Sequence, residues 1–192
     1  MLKGFLLDAA QALDETRHPM AQNVAGMLAA VDVAGDWQVS QERPALASLP
    51  FALATPDCHR AARKLEVLVD KLAWVETPRD MPSSFTGSYC FVTIVGPEGM
   101  IVDQRFKFGV YLQTPETFYP AHRHEAEELY FPLSGTALWQ KDDAEFEPIA
   151  SGTLIHHTPY QLHAMRTHSV PLLALWSWTG NLSFETYSFV MD

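Results

Sequence analysis

From residue 89 onward, the sequence is a succession of short segments rich in aromatic and β-branched residues. Glycine, proline or charged clusters separate these segments, which is typical of strands in an all-β protein. Nine such segments follow one another: YCFVTIVG, MIVDQ, FKFGVYLQ, TFYPAHRH, ELYFPLSG, TALWQK, GTLIHH, PLLALWSW and FETYSFV. Many short strands at this spacing predict a small β-barrel or jelly roll.

The chain before this region has apolar residues at helical intervals instead. Residues 2–15 and 24–31 each carry an apolar stripe of that period, which predicts two amphipathic helices. A third helix is predicted from about Asp57, a suitable N-cap, to Trp74, with Pro78 beyond its end. Residues 32–55 have no clear period and are interpreted as a loop. The predicted fold class is therefore mainly β, with an N-terminal α-helical extension on the barrel.

The composition excludes several classes of protein. Hydrophobic residues make up 47% of the chain, charged residues 19%, and the formal net charge is −10, as in a soluble globular domain. An acidic chain without a Lys/Arg run is unsuited to nucleic acid or to an anionic membrane surface. Cys58 and Cys90 indicate neither a disulfide framework nor a thiolate zinc site. Without a signal-peptide core or a long apolar run, we expect a cytoplasmic protein.

Six of the eight histidines fall between residues 122 and 168, and two of them begin a pattern that carries chemistry. The pattern is His-x-His-x3-Glu-x6-Gly, formed by His122, His124, Glu128 and Gly135. Alternate residues of a strand face the same side, so the two imidazoles project together, and Glu128 can face them from the next strand. Such a group suits a divalent transition metal, namely Fe, Zn, Mn, Co or Ni.

A fourth ligand is expected from later in the chain. His163 is the candidate, because the strands after the hairpin would return the chain to the same face. His156 and His157 are adjacent and point to opposite sides of a strand, so both are left outside the predicted metal site. A solvated strand face would explain a lone His-x-His pair. The glutamate and glycine that continue the pattern, and the cost of burying such groups without a partner, favour a metal.

The segment from His122 to Gly135 resembles the first sequence motif of the cupin superfamily, in which the two histidines and the glutamate bind metal. Within the cupins, the tyrosine two residues after the glutamate, Tyr130, resembles the cupin-type dimethylsulfoniopropionate (DMSP) lyases, especially the DddQ group. The motif departs from the general cupin pattern at Glu116, where a glycine is usual.

The second cupin motif is partly kept. Its middle glycine is missing, the spacing from proline to histidine is one residue short, and Thr167 replaces the usual asparagine. The residues that survive are Gly152, Pro159 and His163. By motif, the resemblance covers roughly residues 85–192 and implies a cupin barrel there, with residues 1–84 as a helical extension packed on it.

The resemblance implies a metal-dependent carbon–sulfur lyase that cleaves DMSP to dimethyl sulfide and acrylate by β-elimination. The metal would bind the substrate carboxylate, and Tyr130 would remove the α-proton, because a divalent cation beside a phenol favours the phenolate. The implied metal ligands are His122, His124, Glu128 and His163. On the residues alone, packing in the barrel core is the simpler role for Tyr130.

The dimethylsulfonium group of such a substrate requires aromatic side chains, because aromatic faces attract cations. The candidates are Tyr119, Tyr160, Trp176 and Trp178, with Tyr119 and Trp178 as the preferred pair. Two other functions stay open. A different metal-dependent cupin, such as an iron dioxygenase, or a non-catalytic small-molecule-binding cupin would keep the ligands but would not need Tyr130. The expected partner is a small zwitterion, and the chain is expected to be a monomer or homodimer.

Overall fold

The computed structural model describes residues 1–33, 42–76 and 85–190. The α-helices are α1 (Leu2–Glu15), α2 (Pro19–Ala30) and α3 (Leu49–Leu53), and 3-10 helices lie at Pro44–Ser48, Arg60–Lys64, Val69–Lys71 and Phe184–Thr186. The strands are β1 (Tyr89–Gly96), β2 (Ile101–Val102), β3 (Lys107–Gln113), β4 (Phe118–Arg123), β5 (Glu127–Ser134), β6 (Ala137–Lys141), β7 (Glu147–Ile149), β8 (Ile155–His157), β9 (His163–Arg166), β10 (Leu172–Thr179) and β11 (Ser188–Phe189).

The strands form two sheets around a common interior. Their order is β2-β1-β3-β10-β5-β8 in the six-stranded sheet and β11-β4-β9-β6-β7 in the five-stranded sheet. Apart from β1 with β2, the paired strands are antiparallel. From β3 to β6 the chain alternates between the sheets, as in a jelly roll. The predicted fold class, a β-barrel with helices before it, is confirmed.

The six-stranded sheet is buried on both faces, and its residues alternate between two environments. In β1, Cys90 and Val92 belong to a hydrophobic core shared with the helices, whereas Tyr89 belongs to the barrel interior. In β10, Leu173 and Leu175 face the helices, whereas Ala174, Trp176 and Trp178 face the interior. Because side chains alternate along a strand, aliphatic residues collect under the helices and aromatic residues collect inside the barrel.

Both predicted N-terminal helices form, and α2 begins at Pro19, five residues before the predicted segment. Their buried stripes include Phe5 and Leu13 in α1 and Val24 and Leu28 in α2, which pack into the core on the outer face of the six-stranded sheet. No helix in the described ranges is both long and apolar enough to cross a membrane. Cys58 and Cys90 are free thiols, and burial raises the pKa of Cys90 to about 12.

The predicted third helix is wrong. Residues 57–74 contain two separate 3-10 helices, joined by turns. The apolar residues that suggested an α-helix are all buried, namely Leu65, Leu68 and Leu72. Packing against the sheet therefore keeps this face inward without a continuous α-helix, because tertiary contacts override a weak local preference.

Two further differences concern the loop and the strands. The loop predicted for residues 32–55 contains a 3-10 helix and α3, while residues 34–41 lie outside the described residues. Each of the nine predicted segments contains a strand, and the described residues add β7 and β9. The predicted boundary between residues 84 and 85 lies at the end of residues 77–84, and Pro78 lies within that range. Residues 77–84 are also outside the described residues. The division into two units therefore stays a prediction.

Gly135, which ends the histidine motif, follows β5 in the turn to β6. Its φ angle is 78°, and an added Cβ would lie 2.2 Å from the carbonyl oxygen of Pro171. Both the backbone conformation and the close approach therefore require glycine.

Replacing Gly135 with alanine is expected to lower the free energy of unfolding by more than the ~1–2 kcal/mol that a left-handed conformation costs. Urea unfolding measures the change. Gly26→Ala is the matched control, because a Cβ at Gly26 in α2 meets nothing within 4 Å. Alanine should stabilise that helix by up to about 1 kcal/mol. An unchanged unfolding midpoint in Gly135→Ala would contradict the prediction.

Candidate metal centre and aromatic pocket

Two cross-strand pairs, one from each sheet, bring potential metal ligands together inside the barrel. His122 in β4 lies opposite His163 in β9, and Glu128 in β5 lies opposite His157 in β8. Residues directly opposite in antiparallel strands point to the same face, so the two side chains of each pair lie side by side. His124, one residue beyond β4, adds a further imidazole. All five side chains are almost fully buried.

The backbone orients three of the imidazoles in the same way. The Nδ1 atoms of His122, His124 and His163 lie 2.8, 3.0 and 2.8 Å from a carbonyl oxygen two residues away in the sequence. A carbonyl only accepts hydrogen bonds, so each Nδ1–H donates to it, and each Nε2 is the ring nitrogen left for another partner. Metal-binding histidines are usually held by such a bond on the far nitrogen.

Two of these Nε2 atoms lie beside the Glu128 carboxylate. Glu128 Oε2 lies 3.2 Å from Nε2 of His124 and 3.1 Å from Nε2 of His163. Within the described residues, however, His163 Nε2 has no partner with hydrogen-bond geometry. A buried carboxylate this close to two imidazole nitrogens needs a proton or a metal cation between them. The four predicted ligands therefore fit a divalent transition metal, which accepts imidazole and carboxylate together.

The electrostatics of the site favour, for Glu128 and His122, the protonation states that a metal requires. Burial alone would raise the pKa of the Glu128 carboxyl, but the neighbouring His124 and His163 outweigh it and hold that pKa well below its usual range. Burial, reinforced by His163, lowers the pKa of His122 well below its ordinary value. At neutral pH the carboxylate is ionised and His122 is neutral, as ligands must be.

Two overlapping groups of ligand atoms lie within 4.8 Å of one another, and they share His163. The first adds His122 and His124, and the second adds Glu128 and His157. Metal–nitrogen bonds of about 2.1 Å place three evenly spread ligands roughly 3.6 Å apart, so any two ligand atoms that lie farther apart would have to move together around a bound ion. Sequence analysis left His157 outside the site, and only the register of β8 on β5 shows that it faces inward.

Trp178 connects the pocket wall to the same carboxylate. It lies opposite Glu128 in β10, and its Nε1–H donates a hydrogen bond of 2.6 Å to Glu128 Oε1. Its ring lies against His124, with 4.4 Å between ring centroids. Oε1 is thus held toward the tryptophan, and Oε2 toward the imidazoles. Trp178 therefore fixes the direction in which Glu128 presents its charge.

Replacing Trp178 with phenylalanine is expected to weaken metal binding by roughly 10- to 100-fold, the usual loss when a partner of a metal ligand is removed. Phenylalanine keeps a packed ring but cannot donate the hydrogen bond. Competition with a coloured chelator measures the affinity. Trp176→Phe is the matched control, because Trp176 Nε1 has no hydrogen-bond partner within the described residues. Wild-type affinity in Trp178→Phe would refute the role of this bond.

An aromatic pocket opens directly onto the cluster. Of its twelve lining residues, two are His122 and Glu128 and ten are Phe, Tyr or Trp. The ten aromatic residues are Tyr89, Phe91, Tyr111, Tyr119, Tyr130, Trp176, Trp178, Phe184, Tyr187 and Phe189. Such a lining offers many π faces next to a single carboxylate, which suits a cationic group.

Tyr130 lines this pocket from β5, two residues after Glu128. Burial, and then the Glu128 charge, raise the pKa of its hydroxyl well above the ordinary value. The phenol therefore stays protonated unless positive charge is placed beside it. Its ring packs against Trp139 at 5.0 Å and edge-on against Tyr111 at 6.1 Å, which limits its orientation.

The structure brings three of the four predicted aromatic residues into the pocket, namely Tyr119, Trp176 and Trp178. Tyr160 lies elsewhere. It is 52% exposed, and its hydroxyl donates to the Glu125 carboxylate at the surface. Its φ of 61°, in the turn before β9, belongs to a tight turn rather than to a strand, so strand alternation does not apply to it.

The C-terminal segment completes the pocket with residues that sequence analysis did not single out. The hydroxyls of Tyr187 and Tyr119 share a short hydrogen bond. Both rings stack on His122, at 5.0 and 4.3 Å respectively. Phe184 packs on Trp178 at 4.7 Å. The sequence FETYSFV suggested a strand, and no motif in it indicates a pocket.

Residues 16–174 match the model of the dimethylsulfoniopropionate lyase family. Two curated relatives are similar in sequence. One is a provisionally named dimethylsulfoniopropionate lyase, DddL, of Cereibacter sphaeroides, 32% identical over 122 residues, or 62% of this chain and 51% of the relative. The other is the dimethylsulfoniopropionate lyase DddQ of Ruegeria pomeroyi, 33% identical over 94 residues, or 49% of this chain and 45% of the relative. The chain therefore spans about half the length of the curated relatives it matches.

Solved structures share the fold. The crystal structure of the DMSP lyase DddQ from Ruegeria pomeroyi superposes with a TM-score of 0.74 at 25% identity and covers 98% of this chain and 95% of that chain. A cupin-2 domain from Rhodospirillum rubrum has a TM-score of 0.52 at 12% identity, over 64% of this chain and 77% of that chain. The second likeness concerns the fold alone, and it identifies the barrel as a cupin barrel.

Proposed function

The chain belongs to the dimethylsulfoniopropionate lyase family, and on that basis we propose that it is a carbon–sulfur lyase that cleaves DMSP to dimethyl sulfide and acrylate. One observation carries the proposal: the aromatic pocket ends on the buried His/Glu cluster, and Tyr130 lines it beside Glu128. DMSP has a carboxylate at one end and a dimethylsulfonium cation at the other. The cluster suits the first group, and the aromatic lining suits the second.

The carboxylate end of the substrate is expected at the cluster. We propose that the metal is held by His122, His124, Glu128 and His163. When bound, a divalent transition metal would hold the substrate carboxylate, withdraw charge from the α-carbon and favour the phenolate form of Tyr130. The buried walls of the barrel lower the local dielectric, which strengthens these electrostatic interactions.

Tyr130 is proposed as the general base. Its phenolate oxygen takes the proton from the carbon next to the carboxylate, and the electron pair left behind forms the double bond of acrylate. The bond between the β-carbon and sulfur breaks with its electrons on sulfur. Dimethyl sulfide leaves as a neutral molecule and needs no acid, and Tyr130 returns its proton to solvent before the next turnover.

The aromatic wall is proposed to hold the dimethylsulfonium group. A cation within about 6 Å of an aromatic ring centre gains roughly 0.5–2 kcal/mol, with the larger gain away from water. Tyr119 and Trp178 are the preferred pair, because one stacks on His122 and the other lies against His124. Both rings are therefore next to the place where the carboxylate is expected, within the reach of a short zwitterion.

Release of both products from DMSP tests the proposed activity. The purified chain is loaded separately with Fe²⁺, Mn²⁺, Zn²⁺, Co²⁺ or Ni²⁺, and dimethyl sulfide and acrylate are measured in the same samples. At least one metal is expected to give both products in equal amounts, and removal of the metal should abolish them. Absence of both products with every metal would contradict the lyase. Consumption of O₂ by the Fe²⁺ form would instead favour the dioxygenase alternative.

A further inference from the structure

His157 is a buried polar residue that the proposed mechanism does not use. Its exposure is 0%, and neither of its ring nitrogens has a hydrogen-bond partner within the described residues. A buried polar group without a partner costs about 1–3 kcal/mol. An apolar ring would fill the same space without that cost. A role in packing alone therefore does not explain a histidine at this position.

The strand register points His157 at the metal centre. It lies directly opposite Glu128, and its ring stacks on His163 with 4.0 Å between centroids and 14° between planes. Its ligand atom lies within 4.8 Å of those of Glu128 and His163. One of its two nitrogens can therefore gain the partner that it lacks from the metal cation that this cluster fits.

His157 differs from the other three imidazoles in how it is held. Each of the others has its Nδ1 tied to a backbone carbonyl, which leaves only Nε2 for an ion. His157 has no such bond within the described residues, so its ring can turn to present either nitrogen without breaking a hydrogen bond. The stack on His163 keeps the ring close to the other ligands during such a turn.

We propose that His157 is a fifth metal-binding residue of this centre, so that one divalent transition metal is bound by four imidazoles and the Glu128 carboxylate. The inference rests on the proposed function, because it concerns the same metal. His122, His124 and His163 bind from the five-stranded sheet or its edge, and Glu128 and His157 bind from the six-stranded sheet. The ion would thereby join the two sheets.

Binding of Co²⁺ to His157→Phe tests the inference. Phenylalanine keeps a ring stacked on His163 but removes both nitrogens. The affinity for Co²⁺ is expected to fall by at least about 10-fold, and the visible absorption of bound Co²⁺ should change because an imidazole ligand is lost. The metal-free variant should be at least as stable as the wild type in thermal unfolding, because two unpaired nitrogens are gone.

His156→Phe is the matched control. His156 is the adjacent histidine, and its Nε2 lies 2.7 Å from the Glu127 carboxylate near the surface. Its replacement should leave the Co²⁺ affinity and spectrum unchanged. A measurement without any variant completes the test: pulsed EPR of Cu²⁺ bound to the wild type should count four coordinated imidazoles, and a count of three would overturn the inference.

The remaining outcomes separate this inference from the proposed function. Wild-type Co²⁺ affinity and spectrum in His157→Phe would overturn the inference and leave the lyase proposal intact. Weaker binding with an unchanged spectrum would also overturn it, because His157 would then only position His163. Failure of the wild type to bind any of the five metals would overturn the metal-dependent function, and this inference with it.

Discussion

Replacing Tyr130 with phenylalanine is expected to lower the rate of DMSP cleavage by roughly 10²- to 10⁴-fold, the usual contribution of a positioned general base. Phenylalanine fills the same place in β5 and keeps the ring contacts with Tyr111 and Trp139, but it has no hydroxyl to take the α-proton. Metal content should stay at the wild-type level, because Tyr130 is not among the proposed ligands.

Initial rates of dimethyl sulfide release over a range of DMSP concentrations measure this effect. We expect the loss in kcat rather than in KM, because the hydroxyl acts in the transition state and the aromatic wall still binds substrate. Tyr160→Phe removes the same hydroxyl from an exposed residue outside the pocket and should keep the wild-type rate. Full activity in Tyr130→Phe would exclude Tyr130 as the base without excluding the lyase.

Replacing Glu128 with glutamine is expected to abolish both bound metal and cleavage. Glutamine has nearly the same size, but it removes the negative charge that balances a divalent cation among neutral imidazoles. The loss of metal affinity should exceed the roughly 10- to 100-fold that loss of an outer partner costs. The amide oxygen can still accept the hydrogen bond from Trp178. The loss of metal affinity therefore measures the contribution of the negative charge of Glu128.

Elemental analysis of metal per chain after dialysis, together with dimethyl sulfide release, measures this loss. Glu127→Gln is the control, because it changes the adjacent carboxylate in the same way. Glu127 contacts His156 near the surface, with more than a third of its side chain exposed. It should retain metal and activity. A Glu128→Gln variant with full metal content would show that this carboxylate is not a ligand.

The site residues that the sequence predicts correctly are close together in the chain. His122, His124 and Glu128 lie on β4, in the short turn and on β5, so strand alternation was enough to predict that they meet. That inference depends on a local period of two, which the sequence displays directly.

Local patterns do not predict the structure of residues whose conformation depends on long-range packing. The apolar period of residues 57–74 suggested a helix, but contacts with the sheet hold those residues in two separate 3-10 helices. Tyr160 was grouped with the pocket aromatics, but a tight turn leaves it at the surface. In both cases the pattern was real, and a tertiary contact or a turn determined the outcome instead.

The local periods and the histidine motif of the sequence were sufficient to predict the barrel. They also predicted that two imidazoles meet a carboxylate, with Tyr130 beside them. The register between distant strands was not available from the sequence. That register places His157 opposite Glu128 and brings Trp178 to the Glu128 carboxylate. The physical reason is that a slip of one residue in strand pairing would turn every one of these side chains to the other face. Only the packed sheets fix which face each side chain takes.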